Sequence, residues 1–154
     1  MELYDKFQII SDRILDTINI ARFCKKYDKT LPQSVKNALS QSYVLNIALL
    51  FDEKNIQGVI LRDLIPDILI DQYRRVKESL RANDLKVIRN KFIAHIDSGI
   101  FSIDSKDSQL IKSALEQSTY VETSALSDLF KLLLDSAAYY KIALNYHNPD
   151  SNNP

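Results

Sequence analysis

Apolar residues recur along this chain at spacings of three and four, the repeat of helices that bury one face. In the first segment Leu3, Phe7, Ile10, Ile14, Ile18 and Ala21 form one stripe, with Asp5, Lys6, Asp12, Arg13 and Asp16 around the remainder. This predicts one long helix ending near Tyr27. Thr30-Leu31-Pro32-Gln33 then reads as a start signal. The threonine hydroxyl accepts from a first-turn N–H, the glutamine reaches back, and proline stands where no amide is needed. A second helix is expected over 31–51, with Val35, Ala38, Leu39, Ser42, Leu45 and Leu49 on its inner side. The short connection makes these two helices an antiparallel hairpin.

Residues 52–58 read as a loop and 59–65 as a short helical turn stopped by Pro66, whose ring disfavours helical geometry in the residue before it. A helix starting near Asp67 turns Ile68, Leu69, Tyr73, Val76 and Leu80 inward and an arginine-rich face outward. Asn83-Asp84 offers a cap for the next helix, whose apolar positions are Leu85, Ile88, Phe92 and Ile96. The stretch 97–107, rich in Ser and Asp, reads as an exposed loop with a brief extended piece at 100–103, and 108–117 as a short helix. Thr123 or Ser124 caps a last long helix with Leu126, Leu129, Phe130, Leu133, Ala137, Tyr140 and Leu144 inside. The expected architecture is all-α, an antiparallel bundle of about five to six helices in one domain over 1–146, followed by a disordered polar tail over 147–154.

Composition narrows this picture only slightly. Two glycines and four prolines in 154 residues are too few for the many tight turns of an all-β fold. Twenty basic and twenty acidic residues cancel, so the overall field does not attract polyanions. Charge is nevertheless uneven. Between Gln72 and His95 stand Arg74, Arg75, Lys77, Arg81, Lys86, Arg89 and Lys91 against only Glu78 and Asp84, which makes this stretch the candidate surface for RNA, or else a solvated helix face. Cys24 is the only cysteine, which suits a reducing compartment, and it lies on an apolar pattern as core filler. The longest apolar run, 43–51, is far shorter than the ~20 residues of a membrane span. The expected setting is the cytoplasm, away from the membrane.

The basic stretch ends in RNKFIAHID, residues 89–97, which carries Arg89, Asn90 and one of the two histidines, His95. On an ideal helix Arg89 lies about +40° and His95 about −80° from Leu85, on the two shoulders of the buried stripe, while Asn90 lies near +140°. About 9 Å of helix rise separates Arg89 from His95, so one straight helix does not bring them together. A site from this pair needs either unwinding near Ala94 or a twofold dimer that places two pairs across one cleft. The chemistry suits cleavage of an RNA phosphodiester by its neighbouring 2′-hydroxyl. Imidazole exchanges the protons, guanidinium binds the charged phosphorane oxygens, and Asn90 adds an amide hydrogen bond to the same phosphate or orients a neighbour. This needs no metal or other cofactor, and the chain has neither an HExxH motif nor a cysteine pair. Equally, a shoulder histidine near a helix end can serve structure by capping terminal carbonyls. Tyr139-Tyr140 reads as half-buried packing, and His147 has no role.

The string RNKFIAHID, preceded by a helix in an all-α chain, resembles the HEPN superfamily (higher eukaryotes and prokaryotes nucleotide-binding). It is similar to the abortive-infection, AbiU-type branch of bacterial toxins, where a motif R-[ND]-K-x-x-A-H-x-D recurs. The segment SYVLNIALLFDEK, residues 42–54, followed by LRDLIP at 61–66, resembles the second-helix region of that branch. The resemblance implies a helical bundle that forms a symmetric dimer, with a metal-independent ribonuclease site composed from both protomers. It makes Arg89 and His95 the catalytic pair and Asn90 the polar residue that follows the arginine. It also implies action as a toxin in phage defence or beside an antitoxin or other defence-system partner. One subgroup carries a tyrosine two residues after the histidine that a partner nucleotidyltransferase modifies; Asp97 stands there, so that regulation is not expected. Other members have lost activity and serve as binding or dimerisation modules.

Overall fold

The computed structural model describes residues 1–98, 106–107, 109–110 and 124–146, with side chains in the first stretch described through Lys91. Its elements are α1 (Leu3–Tyr27), α2 (Gln33–Phe51), α3 (Ile56–Leu64), a 3-10 turn (Asp67–Leu69), α4 (Ile70–Ser79), α5 (Ala82–Ser98) and α6 (Ala125–Tyr139). No strand occurs among the described residues, and Lys106, Asp107, Gln109 and Leu110 are helical. The expected extended piece at 100–103, most of the helix at 108–117, the tail at 147–154 and His147 lie outside the described residues. None of the described helices is long and apolar enough to cross a membrane.

Phe7, Ile10 and Ile14 of α1, Tyr43, Ile47 and Leu50 of α2, Leu61 and Leu64 of α3, Leu85 of α5, and Leu126 and Leu129 of α6 are fully buried in one continuous cluster. Its largest helix contact is α2 against α5, and α1 packs on α2, α3 and α6. The stripe expected for α1 is the buried one, except that Leu3 stays exposed. Ser124 caps α6 as expected, its hydroxyl accepting from the Ser127 N–H at 3.3 Å. Ser124→Ala should therefore cost about 1 kcal/mol in urea unfolding, as lost N-caps do, and an unchanged midpoint would refute that role.

Several local expectations are corrected. Thr30 does not cap α2; its hydroxyl and amide both donate to the Tyr27 carbonyl and close α1 instead, while Gln33 donates to Asn37. Pro32 precedes α2 without any side-chain cap. The inner face of α2 is not the Val35, Ala38, Ser42, Leu45 side, which is exposed, but Tyr43, Val44, Ile47, Ala48, Leu50 and Phe51. Since α2 is apolar nearly all round, periodicity defines no single stripe, and its neighbours α1, α3 and α5 select the face. Helix α3 starts at Ile56, earlier than expected, because the Asn55 side chain accepts from the Gln57 N–H at 3.0 Å.

Ile68 is 79% exposed, although an uninterrupted helix from Asp67 would turn it inward. The chain passes Ile68 in a 3-10 turn, which advances about 120° per residue and breaks the phase assumed from α4. Asn83 and Asp84 do not cap α5 but lie in its first turn. The helix starts one residue after Arg81, whose φ of 54° turns the chain between α4 and α5. The Asp84 carboxylate accepts from the Arg81 guanidinium at 3.2 Å and lies at the positive end of the helix dipole. At its other end α5 continues helically through Asp97 and Ser98, where a loop was expected. The last helix stops at Tyr139, so Tyr140 and Leu144 lie beyond it. Arg13, expected on the solvent side of α1, is half-buried and donates to Gln57 and Asn46, each at 3.2 Å, which ties α1 to α3 and α2.

Candidate functional site

The motif helix is fastened to the rest of the bundle by a carboxylate that local sequence patterns did not single out. Asp52 directly follows α2 and turns the chain toward α3. Its Oδ1 accepts from the Lys54 N–H at 3.1 Å, and its carbonyl accepts from the Asn55 N–H at 2.8 Å, so a tight turn holds the side chain in place. From α5, Lys86 Nζ lies 3.2 Å from Oδ1 and Arg89 Nη1 lies 3.0 Å from Oδ2. Spaced by three residues, these two cations share one face of α5.

The Asp52 side chain is only 8% exposed and that of Arg89 15%, so this is a largely buried ion pair between α2 and α5. Burial alone would raise the Asp52 pKa, but hydrogen bonds from the Lys54 N–H, Arg89 and Lys86 outweigh it and hold the carboxyl at about 2. The carboxylate is thus ionised at neutral pH. It also lies where the last carbonyls of α2 concentrate partial negative charge, which explains why two cations are drawn to one acid. One positive charge remains unbalanced within the trio.

Gly58 makes this turn possible. A Cβ on Gly58 would stand 2.5 Å from the carbonyl carbon of Asp52 and nearer still to its oxygen, so α3 can approach the turn only with glycine there. Next to the acid, Phe51 lies 5.8 Å from the Tyr73 ring, against which the Arg62 guanidinium rests at 5.9 Å. Among the described residues the Tyr73 hydroxyl has no hydrogen-bond partner, and burial, with Glu53 nearby, pushes its pKa up to about 12 against the opposing effect of Arg62.

Of the three residues expected to act, Arg89 and Asn90 are in contact. Asn90 is exposed, as the wheel predicted, yet its Oδ1 accepts from Arg89 Nε at 3.2 Å and from Nη2 at 2.9 Å. The backbone of His95 is helical and its side chain lies outside the described residues, as do those of Phe92 and Ile96. Because α5 is unbroken from Ala82 to Ser98, unwinding near Ala94 does not occur. Positions 89 and 95 therefore stay about 9 Å apart along the axis.

Apart from Arg89, the six basic residues expected to touch RNA are distributed over different surroundings. Arg74, Lys77 and Arg81 line an open cleft of about 530 Å³ at the joint of α4 and α5, together with Glu78, Ala82, Asn83 and Asp84. Arg74 lies 3.4 Å from Asp71, and Arg81 pairs with Asp84. Arg75 is exposed. Lys86 turns to Asp52, and Lys91 reaches Asp107 at 2.8 Å. Asp52 and Gly58 are the residues that sequence reasoning missed. The available signal was weak: a carboxylate at the end of an apolar helix, two cations spaced by three on another, and one of only two glycines six residues on. Comparison with protein-family profiles, curated proteins and solved structures finds no match to the chain.

Proposed function

We propose that the chain is a metal-independent RNA endonuclease of the HEPN type, acting as a toxin in phage defence or within a toxin–antitoxin pair. In this reading Arg89 binds the phosphate and stabilises the charge that builds on the phosphorane. His95 accepts the proton of the 2′-hydroxyl or supplies the proton of the leaving 5′-oxygen. The observation that carries it is the Arg89 guanidinium itself. A permanently charged fork is fixed in position by a buried carboxylate, so little conformational freedom is lost when it meets a phosphate. Since α5 is continuous, the pair from one chain is incomplete, and a second copy placing its own pair opposite completes the constellation. The basic residues of α4 and α5 then guide the RNA strand.

Wild type, Arg89→Lys and His95→Ala are to be compared for toxicity in cells and for cleavage of RNA in the presence of a chelator. Lysine retains a charge beside Asp52 but loses the two-toothed donor, so Arg89→Lys should fold and fail to cleave. The wild type should release products ending in 2′,3′-cyclic phosphate. Equal harmlessness and equal inertness of all three proteins would end the nuclease reading.

A second reading, a non-catalytic helical interaction or nucleotide-binding module, is favoured by one observation: the Arg89 ion pair already performs a structural task between α2 and α5. Under it His95→Ala loses dimerisation or stability. Under the enzyme reading that variant folds normally and loses only activity. Thermal unfolding and sedimentation of the one mutant separate them.

A further inference from the structure

We infer that the Nε/Nη2 edge of Arg89 is the phosphodiester-binding edge of the site and that the Asn90 amide is its placeholder, displaced when RNA enters. This rests on the reading of Arg89 as the phosphate-binding group and adds how that group is kept ready. Nη1 is committed to Asp52 at 3.0 Å, so the edge left for a ligand is the one bearing Nε and Nη2. Both of its donors converge on a single oxygen, Asn90 Oδ1, at 3.2 and 2.9 Å. Side-on approach to this edge is how an oxyanion engages a guanidinium. The amide oxygen thus stands where a phosphate oxygen would stand.

The two partners differ in their freedom to move. Asn90 is exposed and can rotate into solvent without losing packing, whereas Arg89 is 15% exposed and anchored by a buried acid. Displacement therefore moves the asparagine and leaves the guanidinium in place. A neutral amide oxygen is also the weaker acceptor, since a phosphate oxygen adds the attraction of its full negative charge for the guanidinium. The unbalanced charge of Lys86 and Arg89 over Asp52 favours the anion further. Asn90 is on this account a positioning residue, which aligns and covers the fork while it is empty.

The test uses a fluorescent 2′-O-methyl oligoribonucleotide, which lacks the attacking hydroxyl, and reads its binding to the full chain by anisotropy. Asn90→Ala should bind about threefold or more tighter than wild type, because a competing acceptor has gone, with an unchanged unfolding temperature. Asn90→Asp should bind at least about tenfold weaker, because a carboxylate now closes the fork. Val87→Asp adds the same charge to an exposed position of α5, 56% accessible, and should lose clearly less. Unchanged or weaker binding by Asn90→Ala overturns the placeholder, as does equal loss in Asn90→Asp and Val87→Asp. If the wild type does not bind the oligonucleotide, or Arg89→Lys binds it as well as wild type does, the RNA reading falls and takes this inference with it. Weak binding by Arg89→Lys without tightening in Asn90→Ala defeats the placeholder alone.

Discussion

Asp52→Ala is expected to lower the stability of the chain by about 3 kcal/mol, the low end of what breaking a buried ion pair costs. The loss arises less from the missing attraction than from what remains. Arg89, 15% exposed, keeps its charge without its carboxylate, and the Lys54 N–H loses its acceptor. Urea unfolding at neutral pH measures the effect, and a loss under about 0.5 kcal/mol, typical of exposed pairs, would refute it. The same carboxyl predicts a pH dependence. Its folded pKa of about 2 lies below the ordinary 3.8, so its contribution is fully present above about pH 4 and is lost as pH falls from there toward 2. Across that window the wild type should lose stability more steeply than Asp52→Asn, in which this carboxyl is absent. Parallel curves would contradict the assignment.

Gly58→Ala should cost a comparable amount, roughly 3 kcal/mol, at the upper end of overpacking effects. The added methyl overlaps backbone atoms of Asp52, and a backbone cannot swing aside as a flexible side chain can. Relief requires α3 to move off the turn that orients the acid. The two substitutions should therefore be coupled: once Asp52 is alanine, displacing the turn no longer breaks the contacts to Arg89 and Lys86, and Gly58→Ala costs less than in the wild type. A double-mutant cycle with strictly additive losses would show that Gly58 acts independently of the ion pair.

Much of the fold is legible locally, as α1 and α6 illustrate. Each carries a one-sided stripe, and each begins or ends within about two residues of the position expected from periodicity and from cap residues such as Ser124. At α2 periodicity points to the Val35, Ala38, Ser42, Leu45 side, which is exposed, since apolar residues surround the helix and any of several faces satisfies the pattern. At Ile68 a 3-10 turn shifts the phase that one continuous helix would have. The candidate site divides in the same way. Arg89, Asn90 and His95 stand out as a string, because spacing within one helix is a property of neighbouring residues. The acid that holds Arg89 comes from the turn after a different helix, and nothing local to Asp52 marks it.

The sequence by itself determined the all-helical class, the extent of α1, the start of α6 and the presence of an arginine, an asparagine and a histidine on one helix. Those properties depend on the 3.6-residue repeat and on contacts a few positions apart. Only the tertiary structure decided which face of α2 is buried, that Arg89 is anchored by Asp52 on the far side of the α2–α5 contact, and that Gly58 must lack a side chain. These follow from close packing between segments distant in the chain. There an overlap of one methyl group or one unpaired charge is decisive, and no pattern within a single helix encodes it.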